Sequence, residues 1–194
     1  MKARSATFLS SAPTPAAFPE PAAPEIAFAG RSNVGKSSLL NVLVGVTQLA
    51  RTSSTPGRTR ALNWFAVVPP KGPDLAFVDL PGYGYAKVPH EMRDAWRPLV
   101  EAFATRPSLK LFIVLVDLRR GPEREEAELF EWLDSIGVPS LLVLTKADKL
   151  PKSQRNLAAK EAGRLLKRPS PPLIFSALSG DGIPELWRAI MSRV

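Results

Sequence analysis

Between residues 30 and 37 the chain reads Gly30-Arg31-Ser32-Asn33-Val34-Gly35-Lys36-Ser37, which matches the spacing G-x-x-x-x-G-K-[ST]. That pattern suits the holding of a polyphosphate. Glycines let the backbone turn around an anion with its N–H groups pointing inward, and a helix starting at that point adds the positive end of its dipole. Lys36 is placed to reach the terminal phosphates, and Ser37 to set its hydroxyl on a magnesium ion. A Gly-rich turn capping a helix is the bland alternative.

Asp79-Leu80-Pro81-Gly82 closes the apolar run LAFV, 49 positions after Gly30. An acidic residue there can hold magnesium through water, and Gly82 can offer its N–H to a γ-phosphate with no side chain in the way. Thr145-Lys146-Ala147-Asp148 closes the run LLVL. A carboxylate at Asp148 can accept two parallel hydrogen bonds from the N1–H and exocyclic amine of guanine, a pair that adenine lacks. Lys146 can lay its stem along the purine face. Ser176-Ala177 can present a backbone N–H to guanine O6. Taken singly, Asp148 also reads as a helix N-cap and Ser176 as a loop serine.

These residues need a scaffold that delivers them to one edge. Short apolar runs alternate with helical patterns: 25–30, then a helix from Lys36; 62–68; 75–80, then a helix over 90–104; 109–117, then 123–136; 140–146, then 153–167; 172–177, then Pro184 to Arg193. Runs apolar on both faces, each feeding a helix, predict an α/β fold with a mostly parallel sheet covered on both sides. The link PPKGPD at 69–74 is too short for a crossover, so one strand is antiparallel. In such sheets ligands sit beyond the carboxyl ends of the strands, where all the motifs fall. Residues 1–24, with prolines at 13, 15, 19, 21 and 24, read as a Pro-rich extension, and 25–194 as the folded domain.

With 194 residues, 45% of them apolar, the chain suits one globular domain. It has no cysteine, which excludes disulfides, thiolate metal sites and a cysteine nucleophile. Its longest apolar run, Leu111 to Val116, is six residues against the roughly 20 that cross a bilayer, and prolines interrupt any leader, so the expectation is a cytoplasmic protein without a membrane span. The formal charge of +8 asks for an acidic partner. Residues 150–168 concentrate it, with Lys152, Arg155, Lys160, Arg164, Lys167 and Arg168 against Glu161. That segment reads either as a solvated helix face or as a surface for nucleic-acid phosphates.

EIAFAGRSNVGKSSL (25–39), TPGRT (55–59), VDLPGYGYAKV (78–88) and TKADKL (145–150) together resemble the EngB (YsxC/YihA) family of bacterial ribosome-assembly GTPases, within the TrmE-Era-EngA-EngB-septin-like P-loop GTPases. The resemblance spans residues 7 to 190. It implies a Ras-like G domain with a six-stranded sheet, magnesium-dependent binding of GTP and GDP and slow hydrolysis by a monomer. It also implies a role with the large (50S) ribosomal subunit in its late assembly, and a need for the protein in cell division and septation. On the same resemblance Ser37, Thr59 and Asp79 are the magnesium residues, and Gly57, Arg58, Thr59, Arg60 and Ala61 form a first switch against the nucleotide. Lys36, Thr59, Gly82 and Asn33 carry the catalysis, and Phe175, Ser176 and Ala177 join Thr145 to Asp148 around the base. Many other GTPase families have Asn where this chain has Thr145, which leaves Asp148 the stronger determinant.

Ras places a water-orienting Gln directly after D-x-x-G, and here Tyr83 stands there, so weak intrinsic turnover is expected. Asn33 has two readings: in related potassium-activated GTPases such an Asn helps hold a potassium ion near the β/γ bridge, and otherwise it is a loop residue bonding its own turn. Tyr83, Tyr85 and Lys87 could stack on RNA, with packing of Tyr85 on the neighbouring helix as the alternative. An alternative function is a nucleotide-gated adaptor for division-apparatus proteins, with hydrolysis incidental.

Overall fold

The structure is a computed structural model that describes residues 2–46, 49, 61–83 and 90–194, with backbone only for 90–96. Its strands are β1 (Ser5–Ala12), β2 (Glu25–Gly30), β3 (Leu62–Val68), β4 (Leu75–Asp79), β5 (Leu109–Asp117), β6 (Ser140–Thr145) and β7 (Leu173–Ile174). The helices are α1 (Lys36–Val44), α2 (His90–Ala104), α3 (Arg124–Ser135), α4 (Lys152–Leu165) and α5 (Ile183–Met191).

One sheet takes all seven strands in the order β1-β3-β4-β2-β5-β6-β7. Only β3 runs against its neighbours, pairing antiparallel with β1 and with β4 in a register from Asn63↔Asp79 to Val67↔Leu75. The hairpin forms because the link 69–74 turns back at Gly72, whose φ of 93° suits a residue without Cβ.

The six-strand expectation is corrected to seven. The added strand, β1, lies within the segment expected to be a Pro-rich extension. Its sequence SATFLSSA alternates too weakly to announce a strand, and only the open edge of β3 supplies its hydrogen bonds. The prolines at 13, 15 and 19 follow β1, where a missing N–H costs no ladder bond. At the opposite edge β7 shrinks from the expected 172–177 to two residues, since Pro171 and Pro172 precede it and the chain turns away after Phe175, whose N–H still bonds the Leu144 carbonyl at 2.8 Å.

Alternate side chains of each central strand serve the two faces. Ile26, Phe28, Leu111, Ile113 and Leu115 meet Leu39, Leu40 and Leu43 of α1 and Leu186, Trp187 and Ile190 of α5. Ala27, Ala29, Phe112, Val114 and Val116 meet Leu99, Val100 and Phe103 of α2, Phe130 and Leu133 of α3 and Ala159 and Ala162 of α4. At the amino ends of β2 and β5, the buried Glu25 accepts from Trp64 Nε1 (2.8 Å), Arg106 Nε (2.9 Å) and Ser108 Oγ (2.6 Å). Arg106 also donates to the Pro19 carbonyl at 2.8 Å, and Phe18 packs on Trp64 with 5.3 Å between ring centroids. A fully partnered buried carboxylate thus ties residues 18–19 to the sheet, at the end remote from the phosphate loop.

Candidate nucleotide site

The carboxyl ends of β2, β4, β6 and β7 bring four of the expected groups together. Gly30 ends β2, residues 31–35 form the loop, and α1 opens at Lys36. The loop turns through two left-handed residues, Asn33 (φ 63°) and Gly35 (φ 105°), and the second value is one that residues with a Cβ rarely adopt. Val34 is buried and anchors the turn in the core. Its N–H reaches the Arg31 carbonyl at 3.1 Å. Ser37 lies half-buried in the first turn of α1.

Arg31 contributes to the loop by its backbone alone. Its guanidinium bonds Glu123 and lies 3.5 Å from Glu125, so its side chain serves the start of α3 and leaves its backbone to the loop. Ser32 donates its N–H to the Tyr83 carbonyl at 3.1 Å, and Leu80 bonds Phe28 at 3.0 Å, which lays Leu80, Pro81 and Gly82 alongside the phosphate loop. A Cβ on Gly82 would sit 2.9 Å from Ser32 Oγ and 3.3 Å from Ser32 N, so this close approach favours glycine.

Lys36 pairs with Asp79, with side chains only 11% and 10% exposed. Among the described residues no group of three His, Cys, Asp or Glu could hold a metal. The Ser37 hydroxyl and the Asp79 carboxylate are hard oxygen donors. They fit magnesium, which keeps waters and takes phosphate oxygens to complete six ligands, and do not amount to an all-protein cage. Gly57, Arg58, Thr59 and Arg60 lie outside the described residues, as do Tyr85 and Lys87; Ala61 directly precedes β3.

The base side is built around an open pocket of about 420 Å³ including its mouth, lined by Gly35, Ser38, Thr145, Lys146, Asp148, Phe175, Ala177 and Leu178. Thr145 is buried, and its hydroxyl donates to the Val34 carbonyl at 2.7 Å. The single hydroxyl that replaces the amide of other families therefore ties the base motif to the phosphate loop. Lys146 repeats the tie, donating from Nζ to the Asn33 carbonyl at 2.6 Å. Ala147 is buried and bonds the Phe175 carbonyl at 3.1 Å. Ser176, fully buried, donates to Asp148 Oδ1 at 2.6 Å while its Oγ accepts the N–H groups of Leu178 and Ser179 at 3.2 Å. Those two donors occupy the serine's lone pairs and direct its proton at Asp148, which fixes the carboxylate.

Ser38 and Leu178 were not legible as pocket residues. Leu178 is 80% exposed at the lip, and an isolated leucine after a motif carries no mark of its exposure. Tyr83 is not a free stacking face: its ring packs against the core, and burial, reinforced by the Glu126 carboxylate, pushes its phenol well above the usual range. Burial likewise raises Glu126, whose carboxylate caps the Glu123 N–H at 2.8 Å.

A family model described as "50S ribosome-binding GTPase" matches residues 25–146, which hold the phosphate loop, Asp79 to Gly82 and the start of the base motif. A protein of Desulfatibacillum aliphaticivorans named "Probable GTP-binding protein EngB" is 48% identical over 97% of this chain and 91% of its own length. One of the same name from Geobacter metallireducens is 47% identical, over 98% and 92%. The chain belongs to the EngB family. It is a GTP-binding protein of a GTPase family, and GTP hydrolysis is its activity. A crystal structure of a probable GTP-binding protein engB superposes with a TM-score of 0.68 at 24% identity, covering 87% of this chain and 97% of that one. Era of Aquifex aeolicus, bound to GDP and aluminium fluoride, gives 0.73 at 22% identity, covering 88% and 56%. These structures share the Ras-like P-loop fold with this EngB-family chain.

Proposed function

We propose that this protein is a magnesium-dependent GTP switch with slow intrinsic turnover that acts in late assembly of the large ribosomal subunit, in the cytoplasm, and that normal cell division and septation depend on it. The observation that carries the ribosomal part is the match of residues 25–146 to the 50S ribosome-binding GTPase model. Among the described residues no helix is long and apolar enough to cross a membrane.

The residues divide the work. Backbone N–H groups of Asn33, Gly35 and Lys36 and the α1 dipole take the β- and γ-phosphates, while those of Ser32 and Val34 hold the loop through the Tyr83 and Arg31 carbonyls; Lys36 leaves Asp79 for the terminal phosphates and neutralises charge there. Bound magnesium supplies charge stabilisation across the phosphate oxygens, with Ser37, Asp79 and Thr59 as its residues. Asp148 reads guanine, with Ser176 holding it and the Ala177 N–H facing O6. Tyr83 is turned to α3, so the side chain directly after Gly82 is not placed to orient water, which supports slow turnover. Potassium near Asn33 would offset part of that loss. Replacing sodium chloride by potassium chloride at equal ionic strength is expected to raise the hydrolysis rate several-fold; equal rates would remove potassium from the scheme.

The ribosome-facing surface is narrower than the segment 150–168 suggests. Arg155 pairs with Asp181 at 3.2 Å, Arg164 with Glu161 at 2.6 Å, Lys167 with Glu131 at 3.5 Å, and Arg168 with Asp134 at 2.8 Å. Lys152 and Lys160 are exposed and carry no such partner among the described residues. Co-sedimentation with large-subunit particles is expected to be strongest with a non-hydrolysable GTP analogue, weaker with GDP and weakest without nucleotide. Lys152→Glu with Lys160→Glu should reduce it several-fold while GTP affinity holds. Equal association in all three nucleotide states would sink the switch.

A further inference from the structure

The carboxyl end of β5 holds a carboxylate outside the motifs. Asp117 pairs with Thr145 across β5 and β6, and its side chain is 8% exposed. Arg119 folds back on it, giving its backbone N–H to Oδ1 at 3.1 Å, Nε to Oδ1 at 3.0 Å and Nη2 to Oδ2 at 2.7 Å. A second cation reaches the same group: Lys146 Nζ lies 3.2 Å from Oδ2. That ammonium is the one bonded to the Asn33 carbonyl at 2.6 Å.

Lys146 is therefore held at both ends. Its backbone is left-handed (φ 58°), and its ammonium is fixed between the phosphate loop and β5. The methylene stem between these points lines the base pocket, its Cε 3.8 Å from where a Cβ on Gly35 would stand. An unrestrained lysine stem samples many rotamers and loses that freedom on covering a purine; one already fixed does not. The carboxylate is ionised throughout the neutral range. Burial acts to raise its pKa, but the hydrogen bonds from Arg119 and Lys146 outweigh this and hold it at about 2.

We propose that Asp117 is a positioning residue for guanine-nucleotide binding: it anchors the Lys146 ammonium, with Arg119 fixing the carboxylate, so that the lysine stem is set along the purine face before the base arrives. The inference rests on reading Thr145 to Asp148 as the base motif. Asp117 touches no nucleotide in this scheme and acts only through Lys146.

The test is a double-mutant cycle on the dissociation rate of a fluorescent N-methylanthraniloyl-GDP, using the full chain as wild type, Asp117→Asn, Lys146→Ala and the pair. Asp117→Asn is expected to speed dissociation about tenfold, as for loss of one charged hydrogen bond, and to add less than twofold in the Lys146→Ala background. Unchanged dissociation, or the same factor in both backgrounds, overturns the proposal, because a purely structural role acts whether or not the lysine is present. Should Asp117→Asn fail to fold, Arg119→Gln alters only an exposed side chain; it should speed dissociation roughly threefold with Lys146 present and not without it, and equal factors again overturn the proposal. Asp148→Asn is measured alongside. If that change does not move preference toward xanthine nucleotides, the base-motif reading fails; if it does and the cycle is additive, the Asp117 inference fails alone.

Discussion

Asp148→Asn is expected to lower GTP affinity by roughly 10³-fold and to make xanthosine triphosphate the better ligand. A site built to hydrogen-bond one base rejects an analogue that leaves buried polar groups unpaired by factors of about 10⁴. Guanine offers two donors to the carboxylate. An amide in its place presents one acceptor and one donor, so a donor faces a donor; xanthine, with a carbonyl in place of the exocyclic amine, restores the match. The geometry makes the effect large. The Asp148 side chain is 17% exposed, and the Ser176 hydroxyl, its Oγ 2.6 Å from Oδ1, holds it against turning away from the mismatch. Calorimetric titration with GTP and xanthosine triphosphate reads both changes. GTP affinity within threefold of the wild type would place the base elsewhere.

Lys36→Ala is expected to reduce single-turnover GTP hydrolysis by about 10²- to 10³-fold, the scale of removing one preorganised charge from a phosphoryl-transfer site. It also strips Asp79 of its cation where both side chains are about a tenth exposed. Leaving a buried acceptor without its partner costs about 1–3 kcal/mol, which for a chain of this length lowers Tm by roughly 2–10 °C. The two losses can be told apart, since thermal melting without nucleotide reports the ion pair and hydrolysis at saturating GTP reports the phosphate contact. A variant that melts early but turns over normally would assign Lys36 to structure alone.

Local pattern carried much of the architecture. Apolar runs such as LKLFIVLV predict a strand buried on both faces wherever they stand, and the glycines and lysine of residues 30–37 say directly what kind of ligand the turn before α1 can hold. The short link at 69–74 forced the one antiparallel strand for the same local reason: six residues cannot cross a sheet. β1 could not be read this way. Its strand character comes from β3, a partner more than 50 residues away, and its own residues alternate poorly.

Charge shows the same division. The count of six cations against one acid over 150–168 is correct as composition and misleading as a surface. Asp181, Glu131 and Asp134 lie outside that window and reach its arginines and lysine only after folding. Arg31 is a second case: a basic residue in a phosphate loop whose side chain goes to Glu123, 92 positions on. Tyr83 is a third, its ring committed to the α3 side of the sheet.

From its residues alone, then, this chain reads as an α/β phosphate-binding domain with a carboxylate suited to guanine, because loop glycines, a lysine at the start of a helix and an acid at a strand end act through chemistry local to each motif. The seventh strand, the true extent of the basic face, the link from Thr145 to Val34 and the Asp117 anchor of Lys146 were decided by tertiary structure. Each is a contact between groups distant in the chain, and the sheet order that brings their strand ends together is set by packing of the whole core.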